Sequence, residues 1–516
     1  MSFSVGSGRV LSYVLVVAVI CGVSTGRIHP EFATSSVDPQ GQAQRLIKAL
    51  NLFPDVLSVS DGEEVFDGAK LQERRLNLDV GGDAGVSTEE LGQYAGYFKL
   101  ARTHAAKMFY FFFESRGNKT DDPVVLWMTG GPGCASELAL FYENGPFKIT
   151  DNLILVWNDF GWDKVSSIIF VDQPVGTGFS YSTDIRDIRH DEEGVSEDMY
   201  DFFQAFYEAH PEFVKNKLFV TGESYAGHYV PAVAGRLHRA LKHKEGVPID
   251  LKGFAIGNGL TQPDIQYEAY GDYALEMNLI TEEEHQKLGK LYLACAAALK
   301  FCGPKGTIGC VAASFVCQSI FTSILGIAGN INYYDVRKEC QSSLCYDFSN
   351  LDKFLNNATT KEALGVGNRK FVACSPLVYF AMIVDVMKNL EKGIPGLLED
   401  GIELLVYAGE YDLICNWLGN SRWVTAMDWS GQVEYAKAGW KSFEVDGEEA
   451  GLTTGYGPLQ FLKVHNAGHM VPMDQPKNSL EMLYRWTRGI SLGGNSFDAT
   501  IVKEIRRNGN KYTKSA

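Results

Sequence analysis

With 516 residues, 45% of them hydrophobic and 21% charged, the chain can bury a substantial core, as two or three domains or as one long α/β domain with insertions. A formal charge of −16 excludes nucleic acid as a natural partner, because no basic surplus exists to neutralise phosphates. At the start of the chain, Arg9 precedes an apolar run over residues 10–21, and residues 22–26 are small and polar. That pattern predicts a signal peptide over residues 1–26, too short to span a bilayer and without a stop-transfer pattern after it. No membrane span is expected elsewhere.

Residues 27–85 differ in character from the rest of the chain. They hold a helical stretch at 44–50, a polar segment with Arg74 and Arg75, and a glycine-rich junction at 81–85, which together read as a removable propeptide or a linker. From residue 86 onward strands alternate with helices. Buried strands are predicted at 124–128, 168–172, 218–221, 254–256, 403–408 and 461–464, and helices at 195–210 and 229–241. This is an α/β pattern, a mostly parallel sheet covered on both faces. Residues 86–264 and 386–495 form the two parts of its core. Between them, 265–385 is cysteine-bearing, has several helical runs and an apolar segment at 320–329, and reads as an inserted cap over the carboxyl edge of the sheet. Residues 496–516, with Lys503, Arg506, Arg507, Lys511 and Lys514, are expected to be a solvated basic tail.

Two sequons, Asn118-Lys119-Thr120 and Asn357-Ala358-Thr359, make Asn118 and Asn357 candidate glycosylation sites and agree with a secretory route. Of ten cysteines, Cys21 leaves with the signal, and an oxidising compartment would pair eight of the rest. The near-symmetric spacing of Cys295, Cys302, Cys310 and Cys317 invites a nested pairing, 295 with 317 and 302 with 310, although two crossed pairs fit as well. The close Cys-x-x-Cys knuckles of structural zinc are missing, so no metal is expected.

The most informative segment is Leu218-Phe-Val-Thr-Gly-Glu-Ser-Tyr-Ala-Gly227. A buried strand runs into Gly222, Ser224 sits at a tight turn and a helix comes next, which is the context of a nucleophile elbow. The general pattern has glycine two positions after the serine, and here Ala226 stands in its place. A serine hydroxyl needs a base to take its proton, and the base needs an acid to fix its tautomer. In the order serine, acid, histidine, Asp412 lies after the strand at 403–408 and His469 after the strand at 461–464. Glu410, His465 and His228 compete for the same roles. Thr129-Gly-Gly-Pro-Gly-Cys134 succeeds another buried strand, so Gly131 and the amide of Tyr225 are the natural donors to an oxyanion. The lysine and hydroxyl residue that end a phosphate-binding loop are not there.

Together these strings resemble the serine carboxypeptidases of the carboxypeptidase Y type, and particularly the plant type III enzymes. The resemblance covers roughly residues 90–495. It rests on Trp127-Met-Thr-Gly-Gly-Pro-Gly-Cys134, Gly222-Glu-Ser-Tyr-Ala-Gly227, Asp412-Leu-Ile-Cys-Asn-Trp-Leu-Gly-Asn420 and His465-Asn-Ala-Gly-His-Met-Val-Pro472. It implies an α/β-hydrolase fold, a Ser224, Asp412, His469 triad, and an oxyanion hole from Gly131 and Tyr225. It also implies recognition of the substrate carboxylate by Gly130, Glu143, Glu223 and Thr129, the last standing where the family usually has asparagine. Ala226 matches the family's own alanine. The resemblance further implies disulfides 134–374, 295–317, 302–310 and 340–345. Cys415 is left as a free thiol near the site and Met470 lines the pocket for the leaving residue.

The activity so implied is removal of single residues from peptide C-termini at acidic pH through an acyl-enzyme, without a cofactor. Two neighbouring acids cannot easily both ionise in a low-dielectric pocket, so the Glu143–Glu223 pair is expected to hold a proton and donate it to the substrate carboxylate. Peptides or proteins with a free C-terminus are the expected partners, the propeptide is the expected inhibitor, and a homodimer is compatible with the family. A vacuolar, lysosome-like or extracellular destination is expected with it. The rivals are an acyltransferase that uses glucose-ester donors with the same triad, and a non-catalytic protective or binding protein. A metallocarboxypeptidase would need a cluster of metal ligands that the sequence does not offer.

Overall fold

The computed structural model describes residues 71–76, 80–81, 92–303, 308–342 and 344–493. The expected signal peptide, most of the 27–85 segment including the helical stretch at 44–50, the boundary at 85–86 and the basic tail lie outside the described residues.

Among the described residues the central sheet has eleven strands. In chain order they are β1 (Leu71–Arg75), β2 (Gln93–Lys99), β3 (Lys107–Phe113), β4 (Val124–Met128), β5 (Ser167–Val171), β6 (Leu218–Glu223), β7 (Leu251–Gly257), β8 (Glu403–Gly409), β9 (Lys441–Val445), β10 (Glu448–Tyr456) and β11 (Leu459–Val464). Their spatial order is β1-β2-β3-β5-β4-β6-β7-β8-β11-β10-β9. The run from β5 to β11 is parallel, and antiparallel strands flank it on both sides. Parallel strands covered on both faces need apolar side chains on both. Accordingly every residue of β4, β5 and β6 is buried.

Helices of the described residues include α1 (Glu137–Tyr142), α2 (Glu192–Ala209), α3 (Ala226–His243), α4 (Pro263–Glu276), α5 (Glu282–Leu299), α6 (Ile308–Ala328), α7 (Pro376–Met382), α8 (Trp417–Ala426) and α9 (Pro476–Thr487). On one face of the sheet α2 and α3 bury Phe202, Phe203, Phe206, Tyr229, Val230, Val233 and Leu237. Each such side chain contributes about 1.5–3 kcal/mol of hydrophobic stabilisation. Asp191 starts α2 by accepting a hydrogen bond from the Gly194 amide at 2.8 Å. On the other face α1 and α9 close the second half of the core, where Trp486 packs on Phe219 with ring centroids 4.9 Å apart.

The cap begins with α4, α5 and α6. Thr281 and Glu284 form a reciprocal capping box at the start of α5. Cys295–Cys317 and Cys302–Cys310 staple α5 to α6 and the turn between them, so the nested arrangement is the one realised. By length and mean hydropathy, 1.8, α6 would pass for a membrane-crossing helix. Here it is one arm of this cross-linked hairpin, with Ile320, Phe321 and Ile324 packed in the cap core. A short hairpin, Ile331–Asn332 with Asp335–Glu339, comes next and is closed by Cys340–Cys345. Cys134–Cys374 ties the loop after β4 to the end of the cap.

The described part of the 27–85 segment is not a loose linker. Strand β1 pairs antiparallel with β2 at the edge of the main sheet, Leu71 opposite Phe98 through Arg75 opposite Tyr94. Glu73 lies 2.8 Å from His210 Nε2 and Arg74 donates to the Glu362 carbonyl at 2.8 Å.

Beside the loop after β4 two acids, Glu137 and Asp172, are each 1% exposed. Burial, then the Asp172 charge, holds the Glu137 carboxyl well above its usual range, and burial pushes Asp172 up to about 6. A carboxyl that binds its proton more tightly folded than unfolded stabilises fully below its unfolded pKa, about 4, and that contribution drains away as pH rises through the folded value. The melting temperature is therefore expected to fall as pH rises from about 4 through about 6, and the slope to flatten in Glu137→Gln. Differential scanning fluorimetry across that range decides it. A slope identical in both proteins would sink the assignment.

Candidate active site

Strand β6 delivers Ser224 to a turn that the sequence makes unavoidable. Ser224 has φ of 66°, a left-handed conformation costly for a residue with a Cβ. It is held there from three sides: its amide donates to the Gly257 carbonyl at 3.0 Å, and its own carbonyl accepts from Gly227 at 2.9 Å and Leu260 at 3.0 Å. Gly222 is required because a Cβ there would lie 2.5 Å from the Met128 carbonyl oxygen and 2.7 Å from the Ala226 Cβ. The strain lifts a partly exposed serine above the carboxyl edge of the sheet, at the start of α3.

Asp412 and His469 arrive on loops after β8 and β11, neighbours in the same parallel run. Asp412 is fully buried, and its Oδ2 accepts from His469 Nδ1 at 2.8 Å, from Asn258 Nδ2 at 2.8 Å and from the Cys415 amide at 3.2 Å. The His469 amide donates to the Tyr334 carbonyl of the cap hairpin at 2.7 Å, and the Tyr334 ring packs 4.8 Å from the imidazole. The competing residues are occupied elsewhere. His465 Nδ1 is 3.2 Å from Glu410 Oε2, so those two pair with each other. His228 is wholly buried in α3 with Nδ1 2.6 Å from the Leu260 carbonyl.

Asn258 is the residue that sequence reading missed. It directly follows β7 in Gly-Asn-Gly with φ of 40°, and besides bonding Asp412 it accepts the Gly409 amide at 3.1 Å through Oδ1. A polar residue between two glycines at a buried strand end was the available signal.

The loop after β4 runs against the elbow. A Cβ on Gly130 would lie 2.4 Å from the Tyr225 nitrogen, so only glycine permits this approach. Gly131 has φ of 114°. Among the described residues neither the Gly131 nor the Tyr225 amide is engaged with a protein acceptor. Thr129 Oγ1 accepts from the Trp127 indole at 3.0 Å, which leaves its own hydroxyl hydrogen free to donate.

Next to the elbow, Glu223 and Glu143 are each 3% exposed, and one oxygen of each, Oε2, has no protein partner among the described residues. Burial lifts the Glu143 carboxyl to about 8. Burial, then the Glu143 charge, lifts Glu223 well above the carboxylate range. Cys415, 6% exposed, is a free thiol whose pKa is pushed up by burial and then by the Asp412 charge. Met470, directly after His469, is also buried. The sequon residues Asn118 and Asn357 are exposed, the second as the N-cap of a short helix at Ala358–Leu364.

Catalytic loops carried at successive parallel strand ends, with a cap inserted between the two halves of the sheet, define an α/β-hydrolase. Comparison with known proteins gives the family. The serine carboxypeptidase family profile matches residues 85–489, and the chain belongs to that family. It is 58% identical over 493 residues to Serine carboxypeptidase 3 of Hordeum vulgare, covering 93% of this chain and 95% of the relative. It is 59% identical over 467 residues to Serine carboxypeptidase-like 48 of Arabidopsis thaliana, covering 89% and 91%. Among solved structures, the Kex1 prohormone-processing carboxypeptidase of Saccharomyces cerevisiae superposes with a TM-score of 0.72 at 24% identity, over 82% of this chain and 96% of that one, which speaks for the fold. The protein is thus a serine-type carboxypeptidase, a hydrolase acting on peptide bonds.

Proposed function

We propose that the protein releases single C-terminal residues from peptides at acidic pH, through an acyl-enzyme on Ser224. Ser224 Oγ attacks the last peptide carbonyl as His469 takes its proton, with Asp412 holding the imidazole in the tautomer that leaves Nε2 free to accept. The Gly131 and Tyr225 amides receive the developing oxyanion. His469 then protonates the departing amino group, and water attacks the acyl-enzyme by the same base. The observation that carries the exopeptidase reading is the buried Glu143–Glu223 pair beside Ser224. Protonated under acidic conditions, the acids donate to the terminal carboxylate of the substrate, assisted by Thr129 and Gly130, and only the last bond then sits on Ser224. Cys415 and Met470 line the pocket for the residue that leaves.

The same acids disfavour the acyltransferase reading, since a glucose-ester donor presents no carboxylate to receive their proton. An intact, mutually bonded Asp412–His469 dyad disfavours a purely protective role. The disulfides and the exposed Asn118 and Asn357 fit passage through the secretory pathway to a vacuole or the cell exterior. Strand β1, part of the expected propeptide, gives that segment a firm hold on the enzyme in which it would act as inhibitor.

The deciding experiment compares release of the terminal residue from an N-blocked dipeptide and from its C-terminal amide at about pH 5, with Ser224→Ala as control. Fast release from the free acid, slow release from the amide and none in the control are expected. Equal rates on both substrates would remove the acid-clamp reading, and activity in the control would remove the serine mechanism.

A further inference from the structure

Behind the oxyanion hole lies a second buried ionisable cluster that the catalytic steps do not use. The Tyr225 hydroxyl donates to Asp385 Oδ2 at 3.1 Å, and Asp385 Oδ1 faces Lys388 Nζ at 2.7 Å. Asp385 is 0% exposed, in the turn just after α7. Glu192, the first residue of α2, is 5% exposed, and neither carboxyl oxygen has a hydrogen-bond partner in the described residues. Its carboxyl is held well above the usual range, first by burial and then by the Asp385 charge. Glu192 and the Asp385–Lys388 ion pair thus share one buried corner behind the Tyr225 phenol. His228 stacks on the Tyr225 ring from the other side, centroids 4.6 Å apart.

The same corner grips the other arm of the hole. The Gly133 amide donates to the Tyr229 hydroxyl at 3.3 Å, and the Ser375 amide donates to the Gly133 carbonyl at 2.7 Å. A Cβ on Gly133 would lie 2.7 Å from Val378 Cβ, so α7 sits directly on this loop. The stretch 375–388 at the end of the cap thus touches both the loop bearing Gly131 and the residue that supplies the second amide.

We propose that Asp385, with Glu192 as the buried acid beside it, is a positioning residue for the oxyanion hole: through the Tyr225 phenol it fixes the aim of the Tyr225 amide. The phenol is needed as an anchor, and substrate binding does not require it. This rests on the serine-carboxypeptidase reading of Ser224 and Tyr225. Donors preorganised towards a developing charge act in the transition state, so a loosened amide costs kcat and leaves KM in place.

The test measures kcat and KM on the N-blocked dipeptide for Tyr225→Phe, Asp385→Asn, the double variant, Glu192→Gln and Ser224→Ala. Tyr225→Phe and Asp385→Asn are each expected to lower kcat about tenfold with KM changed by less than about twofold. The double variant is expected to be no slower than the slower single, because both remove one contact. Glu192→Gln, which keeps a donor, should remain within about threefold of the parent. Should Asp385→Asn not fold, Tyr225→Phe decides alone. Undiminished kcat in Tyr225→Phe, a loss carried by KM, or losses that multiply in the double variant would each overturn the proposal. Activity surviving in Ser224→Ala would instead overturn the serine mechanism on which it rests.

Discussion

Asp412→Asn is expected to lower kcat by about 10⁴-fold while KM and the melting temperature stay close to those of the parent, as such a change does in a serine triad. The reason lies in the buried negative charge that faces the imidazole. Asp412 Oδ2 takes three donors, from His469, Asn258 and the Cys415 backbone. All three reach the same oxygen, so an amide in this place keeps its oxygen there and still accepts from His469, with its NH₂ at the Oδ1 position, which has no hydrogen-bond partner among the described residues. What is lost is the negative charge that stabilises the imidazolium formed as His469 takes the serine proton. Shape is conserved and the base is weakened. Asn258→Ala works differently: it removes one of the two donors that orient the carboxylate, and about 10- to 100-fold is expected, the scale of losing one supporting hydrogen bond to a buried charge. A fluorophosphonate probe separates fold from function, since both variants should label Ser224 slowly yet melt normally. Retention of kcat within about tenfold in Asp412→Asn would mean that the Asp412 charge does not support the base.

Legibility tracks the range of the forces involved. The six strands expected from continuous apolar runs all appear in the parallel part of the sheet, because burial on two faces writes itself into composition. Strands β9 and β10 give no such signal. Their residues, Lys441–Val445 and Glu448–Tyr456, mix charges, threonines and glycines with partial burial, and the hairpin owes its place to pairing with β11. Strand β1 reads as linker for the same reason: Leu-Gln-Glu-Arg-Arg carries no apolar signal, and the backbone of β2 supplies its hydrogen bonds. In the site, Ser224 is visible because the elbow is local, a strand, a turn and a helix within one short segment. The choice of His469 over His465 is nearly even on sequence, since both come after β11. Distance decides it, through Asp412 on one side and Glu410 on the other. Asn258 and Asp385 stay hidden because the partners that matter, Asp412 and Tyr225, are far away in sequence, and their roles exist only after the chain has folded.

Raising the pH from about 5 to about 9 is expected to raise KM for the free-acid dipeptide at least about tenfold, with a much smaller change for its C-terminal amide. The sign comes from the raised values of the Glu143–Glu223 pair. Burial holds Glu143 at about 8 and Glu223 well above the carboxylate range, so under acidic conditions the pocket carries protons that it can donate. A substrate carboxylate accepting them gains charge-assisted hydrogen bonds, each about 1.5–3 kcal/mol. As pH climbs through about 8 and beyond, the pair turns anionic, the donors are lost and like charges face one another in a site with little water to screen them. An amide substrate brings no negative charge, so it escapes the repulsion and never had the full benefit. Glu143→Gln should keep a donor that cannot ionise and flatten the rise in KM with pH. Glu143→Ala with Glu223→Ala removes both donors and should lower kcat/KM on the free acid by about 10²- to 10³-fold, erasing the preference over the amide. Steady-state kinetics at half-unit pH steps on both substrates read all of this. If KM for the free acid is flat across that pH range in the parent, or climbs equally in Glu143→Gln, the proton in the pocket is not what recognises the C-terminus. Recognition would then fall to Thr129 and the Gly130 backbone, whose hydrogen bonds do not titrate in this range.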